Sequence, residues 1–125
     1  MATVLIVDDA AVDRRLAGGI LEKAEDFIIE YAADGAEALA SFSRRVPDVV
    51  VTDMQMPEMG GLELVEAIRA RYPLVPVVLM TAHGSEDVAV QALERGAASY
   101  VSKVNLARDL AETVASDSSL LMNSS

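Results

Sequence analysis

The sequence predicts an α/β fold: a doubly wound, five-stranded parallel sheet flanked by five helices. Three observations predict it. Five short apolar runs alternate with five stretches of helical periodicity through short loops, the order that a parallel sheet with right-handed crossovers requires. The run Val49-Val50-Val51-Thr52 shows no alternation of apolar and polar residues, so it suits a strand covered on both faces at the centre of such a sheet. That run ends in Asp53, and Pro57 keeps the chain from continuing as strand. A carboxylate therefore stands at the carboxyl end of a central strand, where open α/β sheets form their ligand crevice.

In chain order, Thr3-Val4-Leu5-Ile6-Val7 is the first strand and ends in Asp8-Asp9. From Ala11 to about Lys23, Val12, Leu16 and Ile20 recur every four residues between charged ones, an amphipathic helix. Gly18-Gly19 within it should cost about 1 kcal/mol each relative to Ala, which close packing would explain. Phe27 to Tyr31 is the second strand. Asp34 and Glu37 form a capping pair for a helix over 35–44 that buries Ala38, Leu39 and Phe42. After the central strand, Gly60-Gly61 predicts a loop with unusual backbone angles, and a helix over 62–71 buries Leu64, Val65 and Ile68 before Tyr72-Pro73 stops it. Pro76 to Met80 is the fourth strand, followed by Thr81-Ala82-His83-Gly84. Ser85 caps a helix with acidic Glu86 and Asp87 in its first turn, and Gly96 closes it. Ala98 to Val101 is the fifth strand, leading to Ser102-Lys103. Asn105 caps a last helix carrying Leu106, Leu110 and Val114, and the composition beyond Ser116 predicts a frayed tail or the start of a linker. The expected division is therefore a domain over 1–116 and a tail over 117–125.

With 125 residues the chain is long enough to bury one core, and 52% hydrophobic but only 4% aromatic residues make that core aliphatic. A formal charge of −10 argues against direct contact with nucleic acid or an anionic membrane and favours a cation as ligand. The absence of Cys excludes disulfide and thiolate chemistry. No apolar run approaches the ~18 residues of a membrane span, and Met1 leads straight into a strand rather than a signal peptide, so a soluble, cytoplasmic protein is expected.

The first and third strands should be neighbours at the point where the winding reverses. Asp8, Asp9 and Asp53 would then converge at one edge, to which the fourth strand brings Thr81 and the fifth Lys103. Three carboxylates that close repel one another, and a hard divalent cation with oxygen ligands, Mg2+ above all, relieves the repulsion. Carboxylate, metal, ammonium and hydroxyl around one point are what an aspartate needs to accept a phosphoryl group. His83, the only histidine, reads as a loop residue beside the site.

Asp8-Asp9 after the first strand, Asp53 in Asp-Met-Gln-Met-Pro, Gly60-Gly61, Thr81-Ala82, Tyr100 and Lys103, in that order and at strand ends, resemble the receiver (CheY-like) domain of two-component response regulators over residues 3–115. The resemblance implies a flavodoxin-like strand order 2-1-3-4-5. It implies that Asp53 accepts phosphate from a sensor histidine kinase or a phosphotransfer protein, and that Asp8, Asp9, Asp53 and the Gln55 backbone carbonyl hold Mg2+. Thr81, the Ala82 amide and Lys103 would bind the phosphoryl oxygens, with Thr81 and Tyr100 forming the switch. Residues 85–115 would engage an output domain or partner protein, including a phosphorylation-dependent homodimer. Such a domain is not an enzyme beyond its own phosphorylation and dephosphorylation.

One residue departs from the family pattern. Val104 follows the lysine where the family usually has proline, and a non-proline residue there predicts a trans Lys103–Val104 bond. Two other readings differ in testable ways. A small Mg2+-dependent aspartyl-phosphate phosphatase typically carries a second acid two residues after its nucleophile, where Gln55 stands here. An interaction module that has lost phosphorylation would lack one of Asp8, Asp9, Asp53, Thr81 or Lys103, and all five are present.

Overall fold

A computed structural model describes residues 2–24, 26–82 and 86–123. Five strands, β1 (Thr3–Val7), β2 (Ile28–Ala32), β3 (Val49–Asp53), β4 (Val77–Thr81) and β5 (Ser99–Ser102), alternate with five helices. The helices are α1 (Ala11–Ala24), α2 (Gly35–Ser41), α3 (Gly61–Arg71), α4 (Glu86–Glu94) and α5 (Leu106–Asn123), and a 3-10 turn over Lys103–Asn105 leads into the last. All strand pairs are parallel, in the order β2-β1-β3-β4-β5, so the predicted neighbours β1 and β3 do meet, Val4 in register with Val49.

The strand residues divide by parity between two apolar layers. Val4, Ile6, Val49, Val51, Val78, Met80 and Val101 face one layer with Leu21 of α1 and Leu106, Leu110 and Val114 of α5. Leu5, Val7, Val50, Val77 and Leu79 face the other, with Ala38 of α2, Leu64, Val65 and Ile68 of α3 and Ala92 of α4. Val49, Val50 and Val51 are all fully buried, which is what their unbroken run predicts. Burying each is worth about 1.5–3 kcal/mol relative to exposure.

Helix α1 corrects its sequence reading. Of the Val12-Leu16-Ile20 stripe, Ile20 packs against the core but Val12 is 79% and Leu16 55% exposed, and the fully buried residues are Ala17, Gly18 and Leu21. Gly18 is where close packing is needed, since a Cβ there would stand 2.0 Å from the Tyr31 hydroxyl; Gly19 has open space. The loop after β3 differs as well. Its left-handed backbone is at Glu58 (φ 66°), not at the Gly60-Gly61 pair. Gly61 is required for close approach instead, because a Cβ would lie 2.6 Å from the Asp53 carbonyl oxygen.

At α2 the expected cap is present, the Asp34 side chain accepting from the Glu37 N–H at 2.7 Å. Gly96 ends α4 with φ +113°. The Ser85 cap and His83 lie outside the described residues. Helix α5 does not fray at Ser116 but continues to Asn123, with Asp117 and Ser118 buried. Packing holds a segment whose Ser and Asp residues are weak helix formers. Among the described residues no peptide bond is cis, so Lys103–Val104 is trans, as expected. None of the described helices is long and apolar enough to cross a membrane.

Candidate functional site

The site is built at the carboxyl edge of β1 and β3. Asp8 follows the last residue of β1, and its N–H donates to the Ala32 carbonyl of β2 at 3.1 Å, which draws the side chain inside; it is fully buried. Its Oδ1 accepts from the Ala10 N–H at 2.9 Å, and Arg14 Nη1 donates to its main-chain carbonyl at 2.7 Å. Asp9 is exposed. Asp53 is the last residue of β3 and 9% exposed. The Met54 N–H donates to the Met80 carbonyl and the Gly61 N–H to the Met54 carbonyl, fixing the chain on either side of the turn. One carboxylate oxygen from each of Asp8, Asp9 and Asp53 lies within 4.8 Å of the others.

Lys103 reaches this cluster from the turn after β5. Its Nζ is 3.1 Å from Asp53 Oδ1, 3.2 Å from Asp13 Oδ2 and 3.5 Å from Asp8 Oδ2. Burial works against the ammonium charge, but the hydrogen bond and charge of Asp53, the charge of Asp8 and the hydrogen bond of Asp13 outweigh it, and the Lys103 pKa is raised. Burial also pushes the Asp8 carboxyl up, and the Asp53 charge adds to this. The Ala10 N–H and Lys103 pull the other way without cancelling it.

Beside the carboxylates is a cavity of about 140 Å3 lined by Asp53, Met54, Gln55, Ala82 and Lys103. Thr81 ends β4 at the same edge and is buried, one residue beyond the Met80 that is in register with Asp53. The structure thus brings Asp8, Asp9, Asp53, Gln55, Thr81, Ala82 and Lys103 to one edge of the sheet. Tyr100 stands apart, in register with Leu79 on the edge strand β5 and 38% exposed. Asp13 was not foreseen. It lies in the first turn of α1, and its partner Lys103 is 90 residues away in the sequence, so no local pattern announces the contact.

The sequence profile of the family described as "Response regulator receiver domain" matches residues 4–115. The response regulator protein FleR of Pseudomonas aeruginosa is 42% identical over 113 residues, which is 90% of this chain and 23% of that protein. The DNA-binding transcriptional regulator NtrC of Escherichia coli is 44% identical over 70 residues, 56% of this chain and 15% of that protein. The chain therefore spans less than a quarter of the length of these curated relatives. Among solved structures, a response regulator receiver domain protein from Clostridium thermocellum superposes with a TM-score of 0.87 at 29% identity, covering 95% of both chains. NtrX from Brucella abortus superposes with a TM-score of 0.91 at 31% identity, covering 98% of this chain and 28% of that one.

Proposed function

Because this chain belongs to the response regulator receiver domain family of two-component signalling, we propose that it is a phosphorylation-dependent switch whose acceptor is Asp53. The observation that carries this reading is the ammonium of Lys103 held 3.1 Å from a nearly buried Asp53 carboxylate that borders an open cavity. A carboxylate oxygen of Asp53 attacks phosphorus, the bond from phosphorus to the donor breaks, and the donor's leaving group takes up a proton. Lys103 orients the carboxylate beforehand and then neutralises a phosphoryl oxygen. The Thr81 hydroxyl and the Ala82 amide, from the end of β4, serve the remaining oxygens.

The donor set suits Mg2+: three carboxylate oxygens within 4.8 Å, no nitrogen or sulfur ligand grouped with them among the described residues, and one carboxyl whose burial already opposes its charge. Asp8, Asp9, Asp53 and the Gln55 carbonyl would hold it, and when bound it supplies positive charge to the transferring oxygens. On this reading the domain turns over no separate substrate.

Phosphorylation adds about −1.5 to −2 charge beside Thr81 and Lys103, so the ends of β4 and β5 are drawn towards Asp53. Tyr100, half-exposed on β5, is the large side chain placed to follow. Val90 and Leu93 of α4 are exposed as well, and with Tyr100 they would supply apolar area to an output domain, a partner or a second copy of the chain. The phosphoryl donor would be a histidine kinase or phosphotransfer protein.

Incubation with acetyl phosphate and Mg2+ should add one base-labile phosphoryl group, seen as a single mass increment that Asp53→Ala abolishes. Labelling of the variant at a comparable rate would overturn the assignment. In the same preparation, beryllofluoride should shift amide signals through residues 86–115. Changes confined to 53–60 and 81–82 would remove the proposed output face.

A further inference from the structure

The three N–H groups of the Lys103 ammonium face three carboxylates, and only two of these belong to the strand ends. The third, Asp13, comes from the first turn of α1, its Oδ2 3.2 Å from Nζ, nearer than Asp8 at 3.5 Å. Its side chain is about half exposed, and it is not in the group of oxygens close enough to share a metal ion. It adds negative charge next to the cation on which an incoming phosphoryl group depends, without joining the cluster that would offset this by holding a divalent ion. The Lys103 side chain is itself 29% exposed and has no basic neighbour paired to the same carboxylates among the described residues, so Asp13 and a phosphoryl oxygen would draw on one charge.

We infer that Asp13 is a brake on the site: it competes with the incoming phosphoryl group for Lys103 and slows acceptance by Asp53. The inference rests on the reading of Asp53 as acceptor and adds a residue that acts through Lys103 rather than on phosphorus. Exposed ion pairs of this kind are weak, so the effect is a tuning of rate rather than an on-off control.

The test is a cycle of four proteins, wild type, Asp13→Asn, Lys103→Ala and the double variant, labelled with acetyl phosphate and titrated with Mg2+. At saturating Mg2+, Asp13→Asn should accept phosphate about three-fold to five-fold faster than wild type. In the Lys103→Ala background the same substitution should have no effect on the labelling rate. A slower or unchanged rate in Asp13→Asn overturns the inference. So does an equal acceleration in both backgrounds, which would make Asp13 a general repulsive charge that does not act through Lys103. If wild type itself takes no label, the assignment of Asp53 is what fails. The pair is then judged by the nitrogen-15 signal of the Lys103 ammonium, which should move in Asp13→Asn and overturns the inference if it does not.

Discussion

Asp8 and Asp117 are buried carboxylates at opposite edges of one sheet, and their surroundings differ in kind. Asp8, at the carboxyl edge, accepts a main-chain N–H at 2.9 Å and has an ammonium 3.5 Å away. Asp117, on α5 at the amino edge, accepts one long hydrogen bond from Ser99 Oγ at 3.4 Å, and its other oxygen has no partner among the described residues. Burial raises both pKa values, at Asp117 against only the Ser99 hydrogen bond. The contrast teaches where buried charge is kept for use. Among the described residues a cation is paired with Asp8 and none with Asp117, whose burial is offset by a single side-chain hydrogen bond.

The largest effect should come from removing that cation. Lys103→Ala leaves Asp8, Asp13 and Asp53 facing one another, and the initial rate of labelling by a small phosphodonor should fall by about 100-fold. A rate within a few-fold of wild type would erase the distinction between the two edges. Next comes the metal. Mg2+ at about one hundred times its dissociation constant should stabilise the fold by about 2.7 kcal/mol in urea unfolding. Asp9→Asn should lose most of this and Asp117→Asn none of it; equal losses would mean that the cation is not confined to the carboxyl edge.

The smallest effect is at Asp117 itself. Its folded pKa lies above the unfolded value of 3.8, so the folded chain binds the proton more tightly and stability falls as pH rises through that window. Asp117→Asn, neutral throughout, should therefore be more stable than wild type at pH 7 by about 1 kcal/mol, with the gain vanishing below the unfolded value. A variant less stable at pH 7 would show that Asp117 is charged and paired in solution.

The carboxyl edge was legible in the sequence because its signals are strong: an unbroken valine run, acids at the ends of β1 and β3, and Pro57 soon after β3. The α1 face was not. Ala17 and Gly18 carry almost no hydrophobic signal, whereas Val12 and Leu16 carry a strong one, yet it is the small pair that fits beneath Tyr31 and against the sheet. The continuation of α5 was hidden for a related reason. Asp117 and Ser118 are poor helix formers, but both are buried and Asp117 reaches Ser99 of β5, contacts that local composition does not encode. Asp13 carried no local signal, because its contact with Lys103 joins residues 90 apart in the sequence.

The register of the sheet has a consequence for how the site comes into being. The pairs β1–β2, β3–β4 and β4–β5 each join strands separated by a single helix, whereas β1–β3 must reach across a helix, a strand and another helix. Its closure therefore forms the longest loop in the sheet, the kind of contact that slows folding more than it limits stability. Asp8 and Asp53 stand on either side of that seam. A chain with both halves formed but the seam open would have strands, helices and much of its core, yet no acidic cluster. On the proposed reading, an intermediate with the seam open would not accept a phosphoryl group, and acceptance would begin only once β1 and β3 have paired.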